Sequence, residues 1–127
     1  MKLFNLFKKK EESIFTFDEG NDVYCVEING ITFHCETLLD HYDVFAKDLA
    51  NAYEQKLPEI IDFLLEDIEA MFDVNDVEVI KNSLGKPLID LDRCVLSYLE
   101  HTFDGIHIID VEFDGVFDRL LYSSIDG

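Results

Sequence analysis

Hydrophobic residues recur along this chain with two periods, and the clearer of the two is helical. From Leu57 to Asp73, LPEIIDFLLEDIEAMFD, a step of roughly 100° per residue brings Leu57, Ile60, Ile61, Leu64, Leu65, Ile68, Met71 and Phe72 into one apolar arc about 140° wide. This predicts a helix with one face in a core. Upstream, Leu38, Tyr42, Phe45, Leu49 and Tyr53 also repeat at helical spacing, behind a Thr37/Asp40 pair that resembles a capping box. Pro58 lacks an amide donor and disfavours helical geometry at Leu57, so the pattern predicts two helices with a break near Lys56. A short helix is expected from Asn75 to about Leu84, ended by Gly85 and Pro87, with a strand through Val77, Val79 and Ile80 as the competing reading. Leu91, Cys94, Val95, Tyr98, Leu99 and Thr102 predict one more helix, capped by Asp90 or Asp92.

The ends of the chain follow the period of two. Ile14, Phe15 and Phe17 predict a short strand, and Asp18 to Asp22 a turn. In VYCVEINGITFHCE, Asn29-Gly30 calls for a two-residue type I′ turn, because both loop positions need positive φ. That register sets Ile28 against Ile31, Val26 against Phe33 and Tyr24 against Cys35 on one side of the ribbon. Cys25 and His34 fall opposite each other on the other side. The dipeptides Asp104-Gly105, Asp114-Gly115 and Asp126-Gly127 mark turns between consecutive strands. The strand IHIIDVEF is apolar on both faces and so belongs inside a sheet. A two-residue Asp-Gly turn would set Asp110 beside Arg119; a three-residue loop would set Phe113 beside Phe117. Together these elements predict an α+β fold, an antiparallel sheet from the N- and C-terminal hairpins packed against three to four central helices. The expected division is a basic amphipathic tail over 1–13 and a single domain over 14–127.

Charge sharpens the picture. The formal net charge is −18, and four of the ten bases are Lys2, Lys8, Lys9 and Lys10. From residue 11 onward 28 acids therefore face six bases. Such a body repels nucleic acid and anionic membranes and attracts basic proteins or cations. The charge is concentrated opposite the apolar arc, where Glu59, Asp62, Glu66, Glu69 and Asp73 follow one another three or four residues apart, with Asp67 just off the line. Like charges at that spacing repel. Phe63 sits beside the row and outside the core arc, where an aromatic can serve as an interface anchor.

Three cysteines without a close spacing pattern form no disulfide framework and fit a reducing, cytoplasmic setting. No apolar run reaches the length of a membrane span. HExxH, GxSxG, P-loop and GxGxxG signatures are all missing, so the residues point away from an enzyme and imply no cofactor. His101, Asp104 and His107 surround one turn and have metal-ligand chemistry without an established zinc spacing; Cys25, His34 and His41 form a second loose set. A metal-binding or metal-dependent protein is thus one alternative, and a folding module without a ligand of its own is another.

The opening MKLFNLFKKKEES and the ending VEFDGVFDRLLYSSIDG, about a quarter of the chain, resemble those of small acidic bacterial cytosolic proteins, some of which accompany toxins as immunity proteins. The resemblance implies inhibition by binding and brings no functional residues with it. The leading expectation is an immunity- or inhibitor-type protein whose acidic row occupies the surface of a basic partner, such as a toxin or nuclease.

Overall fold

The structure, a computed structural model, describes residues 13–127. The predicted tail therefore lies outside the described residues, except for Ser13. Nine elements follow in the order β1 (Thr16–Asp18), β2 (Val23–Ile28), β3 (Ile31–Cys35), α1 (Tyr42–Phe72), α2 (Val77–Ser83), β4 (Pro87–Asp90), β5 (Val95–Tyr98), β6 (Ile108–Asp114) and β7 (Arg119–Asp126). The strands form one seven-stranded sheet in sequence order, β1 to β7. Every neighbouring pair is antiparallel except β3 and β4, which run parallel because both helices lie in the crossover between them.

This mixed, sheet-dominated architecture, with two helices among the described residues, replaces the expected three to four central helices over an antiparallel sheet. Two changes account for the difference. First, Pro58 does not break the chain into two helices, and α1 runs for 31 residues straight through it. Its buried side is continuous across the proline, with Ala46, Leu49, Ala50, Tyr53, Leu57, Ile60, Ile61, Leu64 and Ile68 all in the core. That burial outweighs one missing intrahelical hydrogen bond. The helix also starts later than Thr37, after His41, with no side-chain cap.

Second, the helix expected after Asp90 is a β-hairpin. Asp90 does bind following amides, taking Asp92 N–H at 2.9 Å and Arg93 N–H at 3.2 Å, but these close a turn. Cys94 then enters the left-handed region, with φ 54°, and reverses the chain into β5. Ile89, Leu96 and Tyr98 point inward at strand spacing, and of the expected helical face only Leu91 and Tyr98 are buried, while Leu99 is exposed.

The Asn29-Gly30 turn has the expected geometry, φ 53° and 79°, and the β2–β3 register is the one its turn length dictates. Helix α2 is capped by Asp76, one residue after the expected Asn75, which excludes the strand reading of Val77 to Ile80. The C-terminal hairpin follows neither expected register. Its loop spans four residues, so Asp114 meets Arg119 and Phe113 meets Leu120, and an irregularity follows at Glu112/Phe113. The longer loop lets Phe117 fold back into the core, with its ring 4.7 Å from that of Phe113. The core lies between α1 and one face of the sheet. The other face carries Cys25, Thr32, His34, Ser97 and Asp110.

Candidate functional site

Helix α1 presents the acidic row on the side away from the sheet. Glu59, Asp62, Glu66, Glu69 and Asp73 are all exposed, and a helix fixes their spacing more firmly than a loop would. Lys56 reaches Glu59 at 3.8 Å, and Asn75 donates to Glu69 at 2.9 Å. Asp67, off the line, is half-buried and accepts a hydrogen bond from Ser123 on β7. Asp73 is not in the helix proper. It is the C-cap residue, left-handed with φ 57°, and its amide donates to the Glu69 carbonyl. Phe63 is half-buried and packs against the core, so only part of its ring faces outward beside Asp62 and Glu66. Met71, expected in the core arc, is 47% exposed.

Local energetics oppose this row. Four successive pairs of like charges stand three or four residues apart. The last two acids lie at the C-terminal end of α1, where the helix dipole favours cations, and no basic residue occupies that last turn. Asp73 in addition holds a conformation for which glycine is the usual residue.

His101, Asp104 and His107 are brought together, but as the framework of a turn. The Phe103 amide donates to His101 Nδ1 at 3.2 Å, so Nε2 carries the proton and donates to the His107 carbonyl at 2.6 Å. Asp104 accepts from the Ile106 and His107 amides with one oxygen and pairs with His107 Nδ1 at 2.6 Å with the other. The amide and imidazole of His107 and the Ile106 amide hold the Asp104 carboxyl down at about 2. Phe72 and Phe103 are stacked 4.9 Å apart; Phe72 packs against both histidines and Phe103 against His101. Both nitrogens of His101 are occupied, so this set offers no open ligand geometry. Among the described residues, no group of three His, Cys, Asp or Glu side chains could hold a metal ion.

Cys25 and His34 do face each other across β2 and β3. His41 is not with them; it meets Tyr42 edge-on and lies tilted against Phe45 at the start of α1. No disulfide joins Cys25, Cys35 and Cys94. Burial, and then the charges of Asp92 and Asp90, push the Cys35 thiol up to about 11, which makes it a poor nucleophile.

A shallow cleft of about 270 Å³ opens where β3 and β4 both end, lined by Asp22, His34, Glu36, Asp90, Asp92 and Arg93 among others. Two of its carboxylates are already engaged. Asp90 holds its own turn and Arg93, and Asp92 holds the Glu36 amide and the Tyr42 hydroxyl. The carboxyl end of a parallel strand pair is a common place for a crevice. The sequence carried no sign of it, because the β3–β4 pairing joins segments more than fifty residues apart.

Among the described residues, no helix is long and apolar enough to cross a membrane. No protein-family model matches this chain, and no curated protein or solved structure is detectably similar to it.

Proposed function

We propose that this protein is a binding module of the immunity or inhibitor type, which uses the exposed row on α1 to occupy a basic groove on a partner protein. Glu59, Asp62, Glu66, Glu69 and Asp73 steer the encounter, and the outward part of Phe63 adds apolar contact beside them. The single observation that carries this reading is that the row is kept where local energetics oppose it: repelling neighbours, acids at the wrong helix end and a non-glycine in the left-handed region. Local rules are most often broken where a surface serves something other than stability. Successive acids rise about 5 Å along the helix, close to the spacing of phosphates along a nucleic-acid strand. A nucleic-acid-binding enzyme is therefore the kind of partner whose groove the row would fit.

The test compares the natural chain with a variant in which all five acids become Gln or Asn, both immobilised and exposed to lysate of the source cells. The expected result is one basic protein retained by the natural chain at low salt, released as salt rises, and not retained by the variant. Association with that protein should slow by about tenfold or more between low and high ionic strength. Equal retention by both chains, with the variant still folded, overturns the reading.

A further inference from the structure

A separate cleft of about 270 Å³ lies at the opposite end of the β3–β4 pair, between the Asn29-Gly30 turn, the middle of α1, the end of α2 and the start of β4. Its apolar floor is Ile31, Leu57, Leu84 and Pro87, all buried. Lys81 and Lys86 stand on its wall with Asn82. These are two of only six Lys and Arg residues after position 12, so the local sign is opposite to that of the body as a whole. Glu54 is the one acid in the lining. Lys86 pairs with Glu27 at 3.2 Å, but both side chains are more than half exposed, and such pairs hold weakly. Lys81 belongs to none of the ion pairs of the described residues. Carboxylates farther away than about 8 Å are screened at physiological salt.

Tyr53 completes the lining. Its hydroxyl lies 2.5 Å from that of Tyr98 on β5, and neither hydroxyl has another partner on the described residues. Two hydroxyl protons thus share one oxygen–oxygen contact. Tyr98 is fully buried and lines no part of the cleft, so its proton must lie in that contact.

We infer that this cleft binds a small organic anion. Lys81, Lys86 and Asn82 receive its carboxylate or phosphate, and Leu57 and Pro87 receive its apolar body. The space holds roughly nine non-hydrogen atoms at about 30 Å³ each, the share of a water molecule in the liquid. That matches one ring or short chain with an acidic group, and the excess of donors over acceptors in the wall selects the anion over a neutral analogue.

Amide NMR of the full chain tests the inference with three probes: benzoate, phenyl phosphate and benzyl alcohol, at constant ionic strength. At least one of the two anions should shift the backbone amides of Gly30, Asn82, Gly85 and Lys86 saturably, and which one does so separates carboxylate from phosphate. Benzyl alcohol should not. A Lys81→Met/Lys86→Met variant, altered only at exposed side chains, should bind that anion about tenfold more weakly or worse. Absence of saturable shifts with both anions, equal shifts with benzyl alcohol, or unchanged affinity in the double Lys variant would each overturn the inference.

Discussion

The hydroxyl of Tyr42, in the first turn of α1, donates to Oδ1 of Asp92 in the β4–β5 turn at 2.9 Å, across 50 residues of chain. The other oxygen of Asp92 accepts the Glu36 amide at 2.7 Å, just after β3. One carboxylate therefore ties the end of β3, the start of the crossover helix and the turn that follows β4. Asp92→Ala should destabilise the fold by about 2 kcal/mol and Tyr42→Phe by about 1 kcal/mol, since the alanine removes both bonds. Urea unfolding measures both, and a larger loss from Tyr42→Phe would contradict the arrangement.

Pro58 sits exposed inside α1 and denies the helix one hydrogen bond. Pro58→Ala should raise stability by about 2 kcal/mol, the helix-interior penalty of proline less the freedom regained by the unfolded chain. A lower urea midpoint in the variant would mean that the ring packs more favourably than its exposure indicates.

Neutralising the acidic row should make the protein more stable while making it a poorer binder. Replacing the five acids by Gln or Asn relieves four like-charge pairs and should add roughly 1 kcal/mol. Asp73→Gly alone should add about 1 kcal/mol, because it relieves the left-handed residue and the charge at the wrong helix end. Thermal unfolding at low salt would show the gain, and at high salt the part due to charge should shrink. A loss of stability in the five-site variant would mean that the acids hold the helix in some way their exposure does not reveal.

At low pH the turn built on Asp104 should be among the elements that resist acid. Its folded pKa is depressed to about 2 by the His107 amide and imidazole. A depressed carboxylate contributes stability that is present above its unfolded value near 3.9 and lost as pH falls toward 2. Carbon-detected NMR of the Asp104 carboxyl should give a midpoint near 2, whereas a midpoint near 4 would show that the turn opens first. In Asp104→Asn the same acid limb should be flatter.

At high pH three tyrosines matter: Tyr53, Tyr98 and Tyr42, whose hydroxyl is pushed up by burial and then by Asp92. Burial pushes the Tyr53 hydroxyl up to about 12 and Tyr98 well above its usual value. Stability from these groups is complete below about 10, the unfolded value, and is lost as pH rises toward 12. Tyrosinate absorbance should therefore show Tyr53 and Tyr98 ionising late, together with loss of helical circular dichroism. Ionisation of all five tyrosines before any unfolding would rule this out.

Residues close together in sequence determined much of what is local here. Asn29-Gly30 needs positive φ at both positions, and that alone set five cross-strand pairs, including Cys25 with His34. The apolar arc and the opposing acids of α1 follow from a 3.6-residue period, so the exposed row and the arc from Leu57 to Ile68 were legible before any fold was known, though Met71 at its end is exposed. Where competing terms were close, only the tertiary structure decided. Asp90 is as well suited to a turn as to a helix cap, and the outcome depended on β5 having β4 and β6 to pair with. Pro58 is a helix breaker by local rules, yet the sheet beneath α1 rewards an unbroken apolar face. Phe117 lengthened its loop because a buried ring outweighs a tight turn. The two clefts and the Tyr53–Tyr98 contact join segments far apart in the chain, and their positions depend on the parallel β3–β4 pairing that no local pattern encodes.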